Sequence, residues 1–176
     1  VGEEARDAAG AAVHCRAAAF QLLLGFLRRG STAEFLELLF PALHAFAQRF
    51  RACLSQHDLL FCGERCQGVL LACSNARQRT RAQATALLYQ LLKLNHQECG
   101  GIARMNLLAT DALSRVASAG RLARSEHLEG ALATIAQYAL HEHALPVFEL
   151  GATLATADAQ LIKAAFARDV QELCRK

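Results

Sequence analysis

Residues 74–95 read SNARQRTRAQATALLYQLLKLN, and this stretch decides the fold. Ser74 and Asn75 are cap residue types, whose side-chain oxygens accept from the backbone N–H groups that a first helical turn leaves unbonded. Behind them Ala84, Leu87, Leu88, Leu91 and Leu94 recur at spacings of three and four, which places them on one face of an α-helix running to about Asn95.

The same pattern extends outward in both directions. Upstream, a first helix is predicted over Ala11 to Arg29, with Phe20, Leu23, Leu24 and Leu27 inward and Gly30 as its stop. Ser31-Thr32-Ala33-Glu34 matches a capping box, and the helix it opens carries Phe35, Leu36, Leu39, Leu43, Phe46 and Phe50. Pro41 removes a backbone donor there and is expected to kink or split that helix near Phe40. Asp58 is the cap of a third helix holding Leu59, Cys62, Cys66, Val69, Leu70 and Cys73.

Downstream of the quoted stretch, Gly100-Gly101 leads into a helix from Ile102 to Ala119, with Met105, Leu108, Ala109, Ala112, Leu113 and Val116 inward. Gly120 ends it. Ser125 caps the next, striped by Leu128, Leu132, Ile135 and Ala139, and a loop through Pro146 and Gly151 follows. A last helix over Asp158 to Cys174 uses Leu161, Ile162, Ala165, Phe166, Val170 and Leu173.

Composition agrees. Two prolines, no Trp and an abundance of Ala, Leu, Arg, Glu and Gln favour helix nearly everywhere, and no window alternates as a strand would. With 176 residues, the chain is expected to form one all-α domain over 1–176, with residues 1–10 disordered or frayed. Long helices joined by short polar or glycine-bearing breaks pack as antiparallel neighbours, as in a bundle or an armadillo- or HEAT-like α-solenoid.

The net charge is +3, from 19 basic and 16 acidic residues, so no general field draws the chain to nucleic acid or acidic lipid. Seven cysteines, an odd number set mostly in apolar stripes, point to reduced thiols and a cytoplasmic location. The longest apolar stretch, Ala17 to Leu27, is broken by Gln21 and covers about half of what a bilayer crossing needs. Glu3, Glu4 and Asp7 stand where a secretory signal would be basic. The opening residue, Val1, is read as a sign that the chain is part of something longer.

Three constellations invite a chemical reading. Cys62, Cys66 and Cys73 share a helix face near His57, but Val69 and Leu70 fill the same stripe, which favours packed thiols over a zinc site. His141 and His143 are two apart on a helix and point away from each other, as at a solvated helix end. Arg77, Arg79 and Arg81 form a basic patch, with Arg77 and Arg81 on one face. It is read either as a site for phosphate or an acidic partner, or as a set of bonds to the neighbouring helical repeat, and the second is favoured. No aromatic residues interleave with it for base stacking. No phosphate-binding loop, dinucleotide fingerprint, nucleophile elbow or HExxH is present, so no catalytic residue, cofactor or metal is assigned.

Cys66 to Asn95 resembles the dedicator-of-cytokinesis (DOCK) family of guanine-nucleotide exchange factors. There a helix ending in an LLxxCSS-like break is followed by R-x-x-A-x-x-x-L-Y-x-L-hydrophobic-x-x-N, matched here by Arg81, Ala84, Leu88, Tyr89, Leu91, Leu92 and Asn95. Upstream, FLELLFPALHAFAQRF, with its Arg49-Phe50 ending, and Leu59-Leu60-Phe61 are also similar to the family. Downstream, so are Ala103-Arg104-Met105, HLEGALATIAQYA, and Phe166, Val170 and Leu173. The departures are Pro41 inside a helix the family keeps continuous, Gly130 at a polar helix position, and Gly151 to Asp158, which looks like an insertion.

The resemblance implies the C-terminal end of an armadillo-like helical region just before the GTPase-loading DOCKER domain. On that footing the chain is a non-catalytic scaffold, its partners are other domains of the parent protein, and a Rho-family GTPase is met only through the exchange domain. Membrane recruitment would then come through other parts of the parent. From the residues alone, an unrelated adaptor that binds a peptide or helix in a concave groove stays open.

Overall fold

A computed structural model of the chain describes residues 2–29, 31–50, 67–99, 103–118, 125–144 and 156–174, and among these the regular structure is all α-helix. The helices are α1 (Gly2–Arg28), α2 (Ala33–Arg49), α3 (67–73), α4 (Gln78–Cys99), α5 (Ala103–Ser118), α6 (Ser125–Ala144) and α7 (Thr156–Cys174). They form a stack in which α1 lies on α2, α2 on α4, α4 on α6 and α6 on α7, and α4 also touches α7.

The hub is α4. Ala84, Leu87, Leu88 and Leu91 are buried as the spacing predicts, and Leu94 is partly buried. Thr80, Thr85, Leu92, Asn95 and His96 are buried too. At 100° per residue these positions cover about half of the helix circumference, wider than one apolar stripe, because α4 has neighbours on two sides. The remaining helices each bury one stripe. It is Phe20 and Leu24 on α1, Leu36, Leu39, Phe40, Leu43 and Ala47 on α2, and Val69, Leu70 and Cys73 on α3. Ala109 and Ala112 serve on α5, Leu128, Ala131, Ile135 and Ala139 on α6, and Phe166, Ala167, Val170 and Leu173 on α7.

Several boundaries differ from expectation. The first helix begins at Gly2 rather than Ala11, so residues 2–10 are helical. The cap of α2 is Thr32, whose hydroxyl accepts from Phe35 N–H at 3.4 Å, while Ser31 donates back to the Phe26 carbonyl at 2.8 Å. Ser31 therefore closes α1 instead of opening α2, and the Ser-x-x-Glu box is not formed. Helix α2 runs unbroken through Pro41. That proline is exposed, so the carbonyl of Glu37 that loses its donor faces solvent rather than core. Phe35 is exposed rather than inward.

Gly30, Asp58, Leu59, Cys62, Cys66, Gly100, Gly101, Gly120, Pro146 and Gly151 lie outside the described residues, as do the side chains of Met105, Leu108, Val116, Leu161 and Ile162.

Leu87 is fully buried at the hub. Leu87→Ala is expected to lower the unfolding free energy by about 2–5 kcal/mol in urea titration followed by circular dichroism, through lost burial and a residual cavity.

Candidate functional site

The three arginines singled out from the sequence sit at the α3–α4 turn, opposite the start of α2, and each is used differently. Asn75 Oδ1 accepts from Arg77 N–H at 2.9 Å, which shapes the turn before α4 begins at Gln78. The charge of Arg77 reaches Glu34 on α2. The Glu34 carboxyl is held below the usual range first by its own backbone N–H, then by the Thr32 hydroxyl, with Arg77 a smaller cause. Arg79 makes an ion pair with Glu37 of α2 at 3.0 Å, with both side chains largely in water. Arg81 folds back, and its Nη1 donates to the carbonyls of Asn75 at 2.9 Å and Ala76 at 3.1 Å.

The expected bond to a neighbouring helix thus belongs to Arg79, not to Arg81. Arg81 instead satisfies carbonyls that the break between α3 and α4 leaves without helical donors. Its own carbonyl accepts from Thr85 Oγ1 at 2.7 Å. Arg77 and Arg79 face a matched pair of carboxylates, which offsets the local positive field.

Of the three aligned cysteines, Cys73 is described. It is fully buried beside Val69 and Leu70, and burial pushes its thiol up to about 12 despite a bond to Thr85. Such a thiol is a poor nucleophile at neutral pH. Burial raises Cys174 similarly, to about 11, while Cys15 is exposed. His141 lies exposed near the end of α6, as expected of a solvated helix end.

Two polar seams escaped the sequence reading, because spacing within one helix says nothing about partners far along the chain. His44 Nδ1 and Gln90 Oε1 are hydrogen-bonded, and the Gln90 amide donates to the His44 carbonyl at 3.3 Å, joining α2 to α4. On the other side of α4, His96 is buried with its ring edge-on to Phe166 at 5.1 Å and its Nε2 4.0 Å from Asp169 on α7. Tyr89 completes this seam against Phe166 and Tyr138.

The chain is similar to dedicator of cytokinesis proteins. It is 29% identical over 125 residues to dedicator of cytokinesis protein 8 of Mus musculus, and 29% identical over 122 residues to dedicator of cytokinesis protein 6 of the same species. It is 27% identical over 119 residues to dedicator of cytokinesis protein 7 of Homo sapiens. These alignments take in 71%, 69% and 68% of this chain, which spans 6% of the length of the curated relatives it matches. No family model matches the chain. No solved structure matches it either.

Arg81→Ala is expected to cost about 1–3 kcal/mol in denaturant melts, since two turn carbonyls lose a charged donor. Arg79→Ala, which removes an exposed ion pair, should cost under about 1 kcal/mol in the same assay.

His96 gives a pH signature. Its imidazole is held below its ordinary 6.5 chiefly by burial, with the Asp169 carboxylate pulling the other way. Arg168 lies 3.9 Å from that carboxylate. Above pH 6.5 the ring is neutral both folded and unfolded; below it the unfolded chain takes up the proton first, so stability is lost as pH falls. The urea midpoint should drop as pH falls below about 6.5, and His96→Gln should make that drop shallower.

Proposed function

We propose that this chain is a non-catalytic helical scaffold segment of a DOCK-like guanine-nucleotide exchange factor for Rho-family GTPases, of armadillo-like type. It lies at the end of the helical region that precedes the exchange domain, in a cytoplasmic parent protein. The observation that carries the reading is where the family-like residues are spent. Ala84, Leu88, Leu91, Leu92 and Asn95 are buried on α4, Tyr89 packs against that core, and Arg81 closes the turn before it. What the chain has in common with the family pattern is therefore the hub of a fold, not a set of groups converging on a ligand.

The pattern of helix contacts supports the armadillo-like assignment. Among the described helices, α2 contacts α4 and α4 contacts α6 although another helix intervenes in sequence, as when helix pairs stack in two layers. The similarity over two thirds of the chain to several dedicator of cytokinesis proteins favours this reading over an unrelated adaptor. No helix among the described residues is long and apolar enough to cross a membrane. A packed stack of this kind fixes the position of a neighbouring domain at small entropic cost. In this reading the arginine turn is an internal fastening between helices, and the partners are other domains of the same polypeptide.

Nucleotide exchange requires groups that enter the nucleotide site and displace phosphate or magnesium contacts. Release of a fluorescent guanine nucleotide from a panel of Rho-family GTPases should proceed at the unassisted rate in the presence of this chain. A catalytic acceleration by the chain alone would overturn the scaffold assignment.

A further inference from the structure

We propose that Ser31, in the turn between α1 and α2, is a phosphorylation site for a serine/threonine kinase that reads arginines ahead of the acceptor, and that the phosphate loosens the end of α1. This does not depend on the parent-protein reading. The sequence there is Arg28-Arg29-Gly30-Ser31-Thr32, which sets guanidinium groups three and two residues before the hydroxyl. Kinases select substrates by such charge patterns, pairing each guanidinium with carboxylates of the substrate groove. Arg29 and Thr32 are exposed and Ser31 is partly so. The backbone is already extended at Thr32, with φ −62° and ψ 160°, the form in which a cleft takes a peptide. Helix α1 ends loosely, since the bond from Arg29 N–H to the Phe26 carbonyl is 3.4 Å long, and its last turn opens at little cost.

Other hydroxyls with an arginine three residues ahead are less suited. Thr80 follows Arg77 but is buried in the hub helix. Ser118 follows Arg115, which is paired with Asp111 at 2.9 Å, and its hydroxyl donates to the Ser114 carbonyl within α5. Thr32 follows Arg29 alone, and its oxygen caps α2. Glu34 stands three residues after Ser31, where an acid-reading kinase would want it, but its carboxyl is engaged by its own backbone N–H and the Thr32 hydroxyl. In the transfer, an O–P bond forms between Ser31 Oγ and the γ-phosphorus of magnesium-bound ATP as the bond to the β-phosphate oxygen breaks. ADP leaves, and the hydroxyl proton passes to the catalytic aspartate of the kinase. The loosening follows from the bond that is lost. Ser31 Oγ donates to the Phe26 carbonyl at 2.8 Å, and as an ester it has no proton to give. The phosphate also brings a charge of about −1.5 to −2 to the carbonyl end of α1, the negative pole of that helix. The positive end of α2 offsets little of this, because the Thr32 hydroxyl and Glu34 already serve it.

The 176-residue chain incubated with ATP, magnesium and the catalytic subunit of cyclic-AMP-dependent protein kinase, an arginine-directed enzyme, tests this. Tandem mass spectrometry should place the phosphate on Ser31, and Ser31→Ala should abolish it. Arg28→Ala and Arg29→Ala should each slow incorporation about tenfold, through the loss of one charge-assisted pair with the kinase. In a parallel reaction casein kinase, which reads acidic residues, should label Ser31 more slowly. The phosphorylated chain should melt about 2–4 °C below the unmodified one when followed by circular dichroism. Failure to incorporate phosphate, incorporation chiefly at another residue, indifference to both arginine variants, or faster labelling by casein kinase overturns the site. An unmoved melting midpoint overturns the loosening.

Discussion

The two-sided burial of α4 is the constraint on which the rest of the structure depends. A helix buried on one side needs one apolar stripe, and the opposite side can be polar. Helix α4 meets α2 on one side and α6 and α7 on the other, so about half of its circumference must be compatible with burial. The sequence meets this with leucines and an alanine, and with Thr80, Thr85, Asn95 and His96 interspersed along the arc. Buried polar groups are tolerated only when they are bonded. Thr85 donates to the Arg81 carbonyl, and His96 is set between the Phe166 ring and the Asp169 carboxylate. Of the two, His96 reaches a neighbouring helix, and its contacts with Phe166 and Asp169 help to fix α4 against α7.

The turn before α4 follows from the same constraint. A hub helix has to start at a defined point, yet the chain reverses there within Ser74, Asn75, Ala76 and Arg77. Ser74 donates to the Leu71 carbonyl at 2.9 Å, Asn75 accepts from Arg77, and Arg81 reaches back to two carbonyls of the turn. The guanidinium suits this work because its donors are held in a rigid fork. The three arginines thus make contacts within the stack, with Arg79 reaching Glu37 on α2.

What the sequence made legible follows from what spacing can encode. Among the described residues, helices with a period of three and four were readable, and the buried stripe on α2 matches at Leu36, Leu39 and Leu43. Phe35 was misassigned because periodicity places a residue on the flank of a stripe without saying whether a neighbour covers it; here it meets only Phe26 at the rim. Thr32 displaced Ser31 as the cap because the two hydroxyl residues are adjacent and local pattern cannot tell which serves the preceding helix. Leu92, Asn95 and His96 escaped the apolar stripe because a second buried side becomes visible only once the neighbours are placed. The candidate site divides in the same way. The arginines were found by charge, but their partners Glu34 and Glu37 lie about forty residues away, in another helix.

The departures from the family pattern obey one physical rule. Pro41 and Gly130 both stand on exposed helix positions. At Pro41 the lost backbone donor can be replaced by water, and at Gly130 a Cβ would meet nothing within 4 Å, so glycine there answers no steric demand and costs the helix roughly 1 kcal/mol relative to alanine. The stretch that looked inserted is helical from Thr156 onward, where it becomes the first turn of α7. Pro41 and Gly130 thus fall where few neighbours constrain the side chain, while the apolar positions of α4 are buried among theirs. An identity of 27–29% to dedicator of cytokinesis proteins is compatible with a helical stack on those terms, since exposed helix positions tolerate most residue types. A substitution on an outer face then has few partners through which to propagate, whereas one on α4 is felt on two sides at once.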